Sequence, residues 1–366
     1  MALNTITIEK PGPYSTLQDA GRRGMRRWGI PWSGATTPHW QQLANTLVGN
    51  DRDNTIIECF EGGLQFRTAD EPVRIAVAAD FTLSMHVATS ARSVARSVAR
   101  SAATNTDNRQ KHDVKPWRSY TLPPHSLVQL NSTGNLRQAV IAIAGLQLSP
   151  HLGSTSTYIK AELGGLNGAA LREGDELILN TGDFGSELEC QPPMIEQTQS
   201  AELRVVLGPQ DDHFSERGID SFLTTTYVLS SEVDRMGARL TGQAIEHQHE
   251  TSRDIVSDAI VPGSIQIPGN GQPIVLLNDS QTAGGYPKIA TLLSVDLPKL
   301  SLQRPGAEFR FRALSITEAI DVVRDQHATL QDILNNVKPV TDNAVDIDAL
   351  YTHNLIDGVT DGSTMT

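Results

Sequence analysis

Short apolar or alternating runs recur along most of the chain: TITIE, VRIAVAAD, ELILN, ELRVVLG, GSIQIP and EFRFRAL, each bounded by Gly, Pro, Asn or Asp. That patterning predicts strands. A turn followed by an alternating strand appears three times, as TLPPHSLVQL (121–130), LREGDELIL (171–179) and LQRPGAEFRF (302–311). Repeated units of this kind with few helices predict closed or nearly closed barrels, because closure removes the unpaired edges of an open sheet. The expected fold class is mainly β: two β-barrel domains with a few short helices. The polar, Pro-containing segment CQPPMIEQTQSAE (190–202) is the expected linker, dividing a domain over 1–195 from one over 196–342, with a polar tail over 343–366.

Two helices interrupt the strands. In TPHWQQLANTLVGN, Thr37 is an N-cap residue, Pro38 takes the first helical position, and Trp40, Leu43, Ala44, Leu47 and Val48 form one stripe before Gly49. The second begins at Ser315, paired with Glu318 as a capping box, and runs toward Pro339 with an expected break near His327. Residues 88–113 differ from the rest: an RSVA repeat offers almost nothing to a core and reads as a solvated low-complexity insertion.

Composition excludes several partners. A formal charge of −12 disfavours nucleic acid and anionic membranes. No apolar run approaches the roughly 20 residues that span a bilayer, and MALNTITIEKPG lacks the basic and apolar regions of a secretory signal. The expected location is the cytoplasm. Cys59 and Cys190 lie too far apart for a metal-ligand motif and are expected to be reduced thiols.

The candidate chemistry concentrates in 261–290, VPGSIQIPGNGQPIVLLNDSQTAGGYPKIA. A buried strand delivers Asn278, Asp279 and Gln281 to a turn with Gly284 and Gly285, followed by Tyr286 and Lys288. Amides, a carboxylate, a phenol and a cation so close together suit an amide, a lactam or a carboxylated ureido ring, although an ordinary hairpin would use the same turn residues. Asp211 and His213 form a possible acid and base pair, and Arg235 or Arg239 could hold a carboxylate; the alternative is a helix entry and surface ion pairs. Ser154, Ser156, Thr157 and Tyr158 could line a pocket or face solvent, and the Arg-rich loop containing Arg22 could bind an anion or be irregular backbone. His247 and His249 lack a third ligand, so no metal site is expected. There is no phosphate loop, nucleophile elbow or HExxH, and no Met-Lys-Met context for attaching biotin.

In order along the chain, YSTLQDAGRRG, GIPWSGA, LGSTSTY, LGPQDDHF, DRMGARL, the 261–290 segment, VDLPKL and RPG resemble the biotin-dependent carboxyltransferase family, whose members are called allophanate hydrolase subunit 2, urea amidolyase-related protein or the C subunit of 5-oxoprolinase. The resemblance implies cyclophilin-like β-barrels. It implies a companion subunit 1-like protein and, depending on the branch, a LamB-like lactam-hydrolase subunit or a biotin carrier.

Two activities follow from it. One is ATP-dependent opening of 5-oxoproline to glutamate; the other is carboxyl transfer from carboxybiotin to a urea or amide nitrogen. ATP would act through the complex, with no site assignable in this chain, and biotin would arrive on a partner. Lys288, Asn278, Asp279 and Gln281 are then the expected catalytic residues, and Arg235, Tyr286, Gly284, Gly285, Ser154 and Tyr158 the substrate-binding ones. The alternative is a non-catalytic subunit that binds and antagonises a companion kinase-inhibitor-like protein; a prolyl isomerase is a weaker third reading. The RSVA insertion and GATTPHW depart from the family pattern.

Overall fold

A computed structural model describes residues 4–80, 83–88, 109–130, 132, 134–180, 182–193, 200–249 and 253–340. The runs read as strands from their periodicity are strands, and the mainly β architecture is present. In the first half, a six-stranded sheet, ordered Glu176–Leu179, Asn4–Pro11, Leu64–Thr68, Leu127–Leu130, Leu83–Ala88 and Arg109–Val114, shares one core with a five-stranded sheet. That second sheet runs Tyr14–Gln18, Ile56–Phe60, Gln138–Ile143, Val73–Ala78 and Ser119–Leu122.

The second half closes into a seven-stranded barrel: Ser200–Leu207, Lys288–Leu292, Ser264–Gln266, Ile274–Leu276, Gly237–Thr241, Tyr227–Val233 and Glu308–Ala313. Parallel pairing of Ser200–Leu207 with Glu308–Ala313 closes the ring. The interior is filled by apolar side chains, among them Phe222 stacked on Phe311 with centroids 4.5 Å apart.

Helix α1 (Pro38–Val48) lies on the outer face of the five-stranded sheet, so VRIAVA and QAVIAI are buried on both sides and lack alternation. Gly49 ends α1 in the left-handed conformation, at φ 82°. Thr37 precedes the helix as expected, but its hydroxyl does not cap it; it accepts from Gln138 Nε2 at 3.3 Å.

Further short helices are α2 (Glu216–Thr224) and α3 (Leu297–Ser301). Helix α4 (Ile316–Asn335) carries the expected capping box, but it does not break at His327. No Gly or Pro interrupts it, and Leu330 and Leu334, beyond that point, continue into the core shared with α1.

Leu83–Ala88 pairs antiparallel with Arg109–Val114, so the backbone of 88 and of 109–113 belongs to a hairpin. Residues 89–108, like linker residues 194–199 and the tail, lie outside the described residues. Linker residues Ser200 to Glu202 already pair in the barrel.

The halves are stitched together along a polar seam. Lys338–Pro339 pairs with Leu188–Glu189, Arg137 N–H donates to Leu302 O at 2.9 Å, and Ser33 N–H donates to Asn278 O at 3.1 Å. Arg304 reaches across to Glu61 and to the carbonyls of Gly134 and Leu136, both at 3.2 Å.

Candidate functional site

Arg235 occupies the tip of the hairpin joining Tyr227–Val233 to Gly237–Thr241. Asp234 shapes that tip, its Oδ1 accepting from the N–H groups of Met236 (2.7 Å) and Gly237 (3.1 Å). The tip is tied to the chain leaving Ile274–Leu276: Leu277 N–H donates to Met236 O (3.0 Å) and Asp279 N–H to Arg235 O (2.9 Å). Neighbouring backbones thus bring Arg235 and Asp279, distant in sequence, side by side.

The Arg235 side chain is 4% exposed. Its Nε and Nη2 donate to Asp279 Oδ2 and Oδ1 at 2.9 and 3.1 Å, and Nη2 also to Gly34 O at 2.7 Å. Nη1 crosses the seam to Glu58. Glu58 is fully buried, and its other oxygen accepts from the Thr36 N–H (2.8 Å) and hydroxyl (2.9 Å). Burial alone would lower the proton affinity of Arg235, but Asp279 and Glu58 more than offset it, holding the guanidinium protonated beyond the ordinary arginine value.

This group lies against a cavity of about 450 Å³ walled by both halves, including Tyr14, Phe60, Tyr158, Lys160, Met236 and Ser301. Burial is the main cause that pushes the Tyr14 phenol up to about 12, with Asp279, Glu58 and Asp234 raising it and Arg235 opposing. Tyr158 is raised as well, by burial and then by Asp279. Both phenols therefore stay protonated at neutral pH and can donate hydrogen bonds. A second cavity of about 500 Å³ shares Val233, Asp234 and Met236 with the first and is also lined by Arg239, Gln266, Gln281 and Tyr286.

The structure separates the residues expected to converge after position 277. Asp279, Arg235 and Tyr158 line the first cavity, and Gln281 and Tyr286 the second. Asn278 spends its amide on Gly34 O (3.3 Å) and Ala35 O (3.0 Å), joining the halves. Gly284 makes room for the molecule's own packing: a Cβ there would lie 2.5 Å from Ile260 Cδ1 and 2.8 Å from Gln266 Nε2. Gly285 accepts from Ile255 N–H at 2.8 Å.

Lys288 lines neither cavity. Its buried ammonium donates to Asp258 Oδ2 at 2.7 Å and Ala259 O at 3.0 Å, because a buried cation requires a carboxylate and an acceptor close by. The ion pair clamps the ribbon of Asp258–Ala259 and Ala283–Gly284 to the barrel. Lys288→Met should release that ribbon, with faster amide hydrogen exchange at 258–259 and 283–284 while barrel amides stay protected; unchanged exchange would refute the clamp.

Ser154 lines neither cavity. With Ser156 it donates to Asp19 Oδ1, at 2.5 and 2.6 Å, while Thr155 and Gly21 add backbone N–H donors at 2.7 and 2.8 Å. Arg22, fully buried, binds the carbonyls of His151, Ser154 and Ser156, so this arginine organises a loop instead of holding an anion. Asp211 and His213 form a 3-10 turn outside both cavities. The His247 ring packs tilted against Phe214, with centroids 5.0 Å apart, and no three His, Cys, Asp or Glu gather as for a metal among the described residues.

Burial acting alone would raise the Asp19 carboxyl, but its four hydrogen bonds outweigh that and lower its pKa. A lowered folded-state value stabilises above the unfolded carboxylate pKa of about 4 and is lost as pH falls through the folded value. The stability gap between wild type and Asp19→Asn should therefore be widest near neutrality and narrow below about pH 4. Urea melts across that range check it; a gap independent of pH would count against the network.

Sequence reasoning missed Glu58, Thr36 and Tyr14. Glu58 had a legible signal, a lone carboxylate inside the otherwise apolar run IIECF; Thr36 and Tyr14 had none.

The family model for the carboxyltransferase domain, subdomain A and B, matches residues 28–313. The C subunit of Escherichia coli 5-oxoprolinase is 31% identical over 331 residues, covering 90% of this chain and 97% of the relative. Its Haemophilus influenzae counterpart, also a 5-oxoprolinase C subunit, is 28% identical, with 87% and 94% covered. The K. lactis urea amidolyase structure shares the fold with a TM-score of 0.76 at 20% identity, over 91% of this chain and 20% of that one. The tip carrying Arg235, the segment carrying Asp279 and the cavity wall from Thr36 to Ser301 fall inside the matched span, with Pro13 and Tyr14 ahead of it, and the chain belongs to the family of carboxyltransferase domains with subdomains A and B.

Proposed function

We propose that this chain is the carboxyltransferase-type subunit of a heteromeric 5-oxoprolinase, and that its part in opening the lactam takes place in the cavity between the halves. The observation that carries the reading is the floor of that cavity, where Asp279 is fixed by Arg235 beside two neutral phenols. The near-complete coverage of the two 5-oxoprolinase relatives supports this branch over urea carboxylation, because the urea amidolyase chain is about five times longer than the part this chain matches.

Opening a lactam places negative charge on the carbonyl oxygen. The phenols of Tyr14 and Tyr158 are the donors for that oxygen, and the Asp279 carboxylate takes a proton from the water that adds to the carbonyl carbon and passes it to the ring nitrogen as the C–N bond breaks. Met236, Phe60 and Leu277 supply apolar walls that exclude water.

ATP does not fit this cavity. Its three cationic side chains, Arg137, Lys160 and Arg235, face three carboxylates, Glu61, Asp234 and Asp279, and Arg137 and Arg235 are already paired with Glu61 and Asp279. A triphosphate would meet no net positive charge, so we assign ATP to another subunit. The ureido ring of a partner-borne biotin does fit in polarity; bound there it would supply a carboxyl group, with Tyr14 and Tyr158 as donors to its ring oxygen.

The test is ATP-dependent glutamate formation from 5-oxoproline by this chain reconstituted with its companion subunits. Glutamate that appears only when this chain is present supports the reading. Companions that bind the chain and yield no glutamate would overturn it in favour of a regulatory subunit, and carboxylation of urea would move it to the other branch.

A further inference from the structure

Large apolar side chains are exposed together where three segments meet beside the second cavity. The 3-10 turn Arg26–Trp28 buries none of its residues and leaves Trp28 68% exposed. A Cβ added to Gly24 or Gly29, which flank the turn at φ 81° and 80°, would touch nothing within 4 Å, so the turn projects into open space.

What holds the turn down is Arg26. Its guanidinium donates to Ile260 O (3.2 and 2.5 Å) and to Gln281 O (2.9 Å). Those carbonyls belong to the ribbon region, where Ile260 N–H donates to Thr282 O at 3.0 Å and Ile255 N–H to Gly285 O at 2.8 Å. On the same ribbon Val256 is 93% exposed, and Val261 and Tyr286 are each 41% exposed. Hydrogen bonds thus assemble Trp28, Val256, Val261 and Tyr286 on one surface region. Lone exposed apolar residues are ordinary, but such a group on one side of a molecule is not.

The charge at this place also runs against the rest of the molecule. The chain carries −12 overall, yet Arg23 and Arg27 are both exposed on the turn. Each guanidinium lies over a tryptophan ring, Arg23 over Trp32 at 4.5 Å and Arg27 over Trp28 at 5.2 Å. Tryptophan, tyrosine and arginine are the residues that most often dominate binding energy at protein interfaces. Furthermore, the matched unit occurs both as a free-standing subunit and as a fifth of one long chain, so it must meet the rest of an assembly in either setting.

We propose that the Trp28 turn and the ribbon beside it form the docking face for the companion subunit, which presents an apolar socket rimmed by Asp or Glu side chains. Trp28 fills the socket, and Arg23 and Arg27 meet its acidic rim. Docking here covers the side of the second cavity that Gln281 and Tyr286 line, placing the companion next to the site. The inference rests on the reading of this chain as one subunit of a complex.

The experiment titrates the full-length chain with the purified subunit 1-like companion by calorimetry. Wild type should bind, and rising salt should weaken the complex. Trp28→Ala combined with Arg27→Glu should weaken it by at least about thirtyfold, the effect of losing one dominant interface residue, with an unchanged melting temperature. Ile320→Lys, on the exposed apolar stripe of α4, should bind as wild type does. Full binding by the Trp28 and Arg27 variant, or release by Ile320→Lys, overturns the proposed face and leaves the subunit reading intact. Wild type that binds no companion overturns both. A dimer of this chain that dissociates in Trp28→Ala overturns the proposal by making a second copy the occupant.

Discussion

Arg235→Met should lower the unfolding free energy by about 3–5 kcal/mol, the usual result of removing one partner from a fully buried ionic group. The substitution keeps the length and apolar stem of the side chain but leaves Glu58 and Asp279 facing one another without a cation. Glu58 retains only Thr36 as a donor, and Gly34 O loses its guanidinium partner. Because the lost contacts cross between the halves, the loosening should centre on the seam while the barrel keeps its own core. Urea unfolding measures the effect. Glu58→Gln in the Arg235→Met background should recover part of the loss by removing one unpaired carboxylate. A single variant as stable as wild type would show that the ionic group does not hold the seam.

Asp279→Asn should cost less stability than Arg235→Met and end turnover. With Asp279 neutral, Glu58 still balances the charge of Arg235, and the amide oxygen accepts from one guanidinium N–H while the amide nitrogen leaves the other without its acceptor. What disappears is a carboxylate at the cavity wall beside Tyr14 and Tyr158. The expected loss in kcat is about 100-fold or more, the scale set by removing a positioned acid–base group. The reconstituted 5-oxoprolinase assay with a parallel thermal melt separates the two effects. Activity within a few-fold of wild type would remove Asp279 from the mechanism. A collapse in melting temperature would instead assign it to the seam.

The local architecture was legible to the extent that it depended on local rules. TITIE and ELILN alternate because one face of each strand is buried, and SxxE at Ser315 closed the capping box it predicted. VRIAVA does not alternate, since α1 covers the other face of its sheet, a fact that depends on a helix elsewhere in the chain. The site was legible in part. Arg235, Asp279 and Tyr158 were singled out and share a cavity, whereas Lys288, the most prominent cation in the Gly-rich bend, is paired to Asp258 on a ribbon that no local pattern predicted.

The order of apolar runs, turn residues and caps by itself determined a mainly β chain, the positions of its two longest helices and the segment carrying Asp279. Only the tertiary structure decided which side chains meet: Glu58 with Arg235, Asn278 with the loop at Gly34, and Arg26 with the ribbon. Secondary structure follows from interactions a few residues apart, but a buried charge must find its counter-charge wherever folding brings one. For Arg235 that counter-charge is 177 positions away, on a strand of the other half of the molecule.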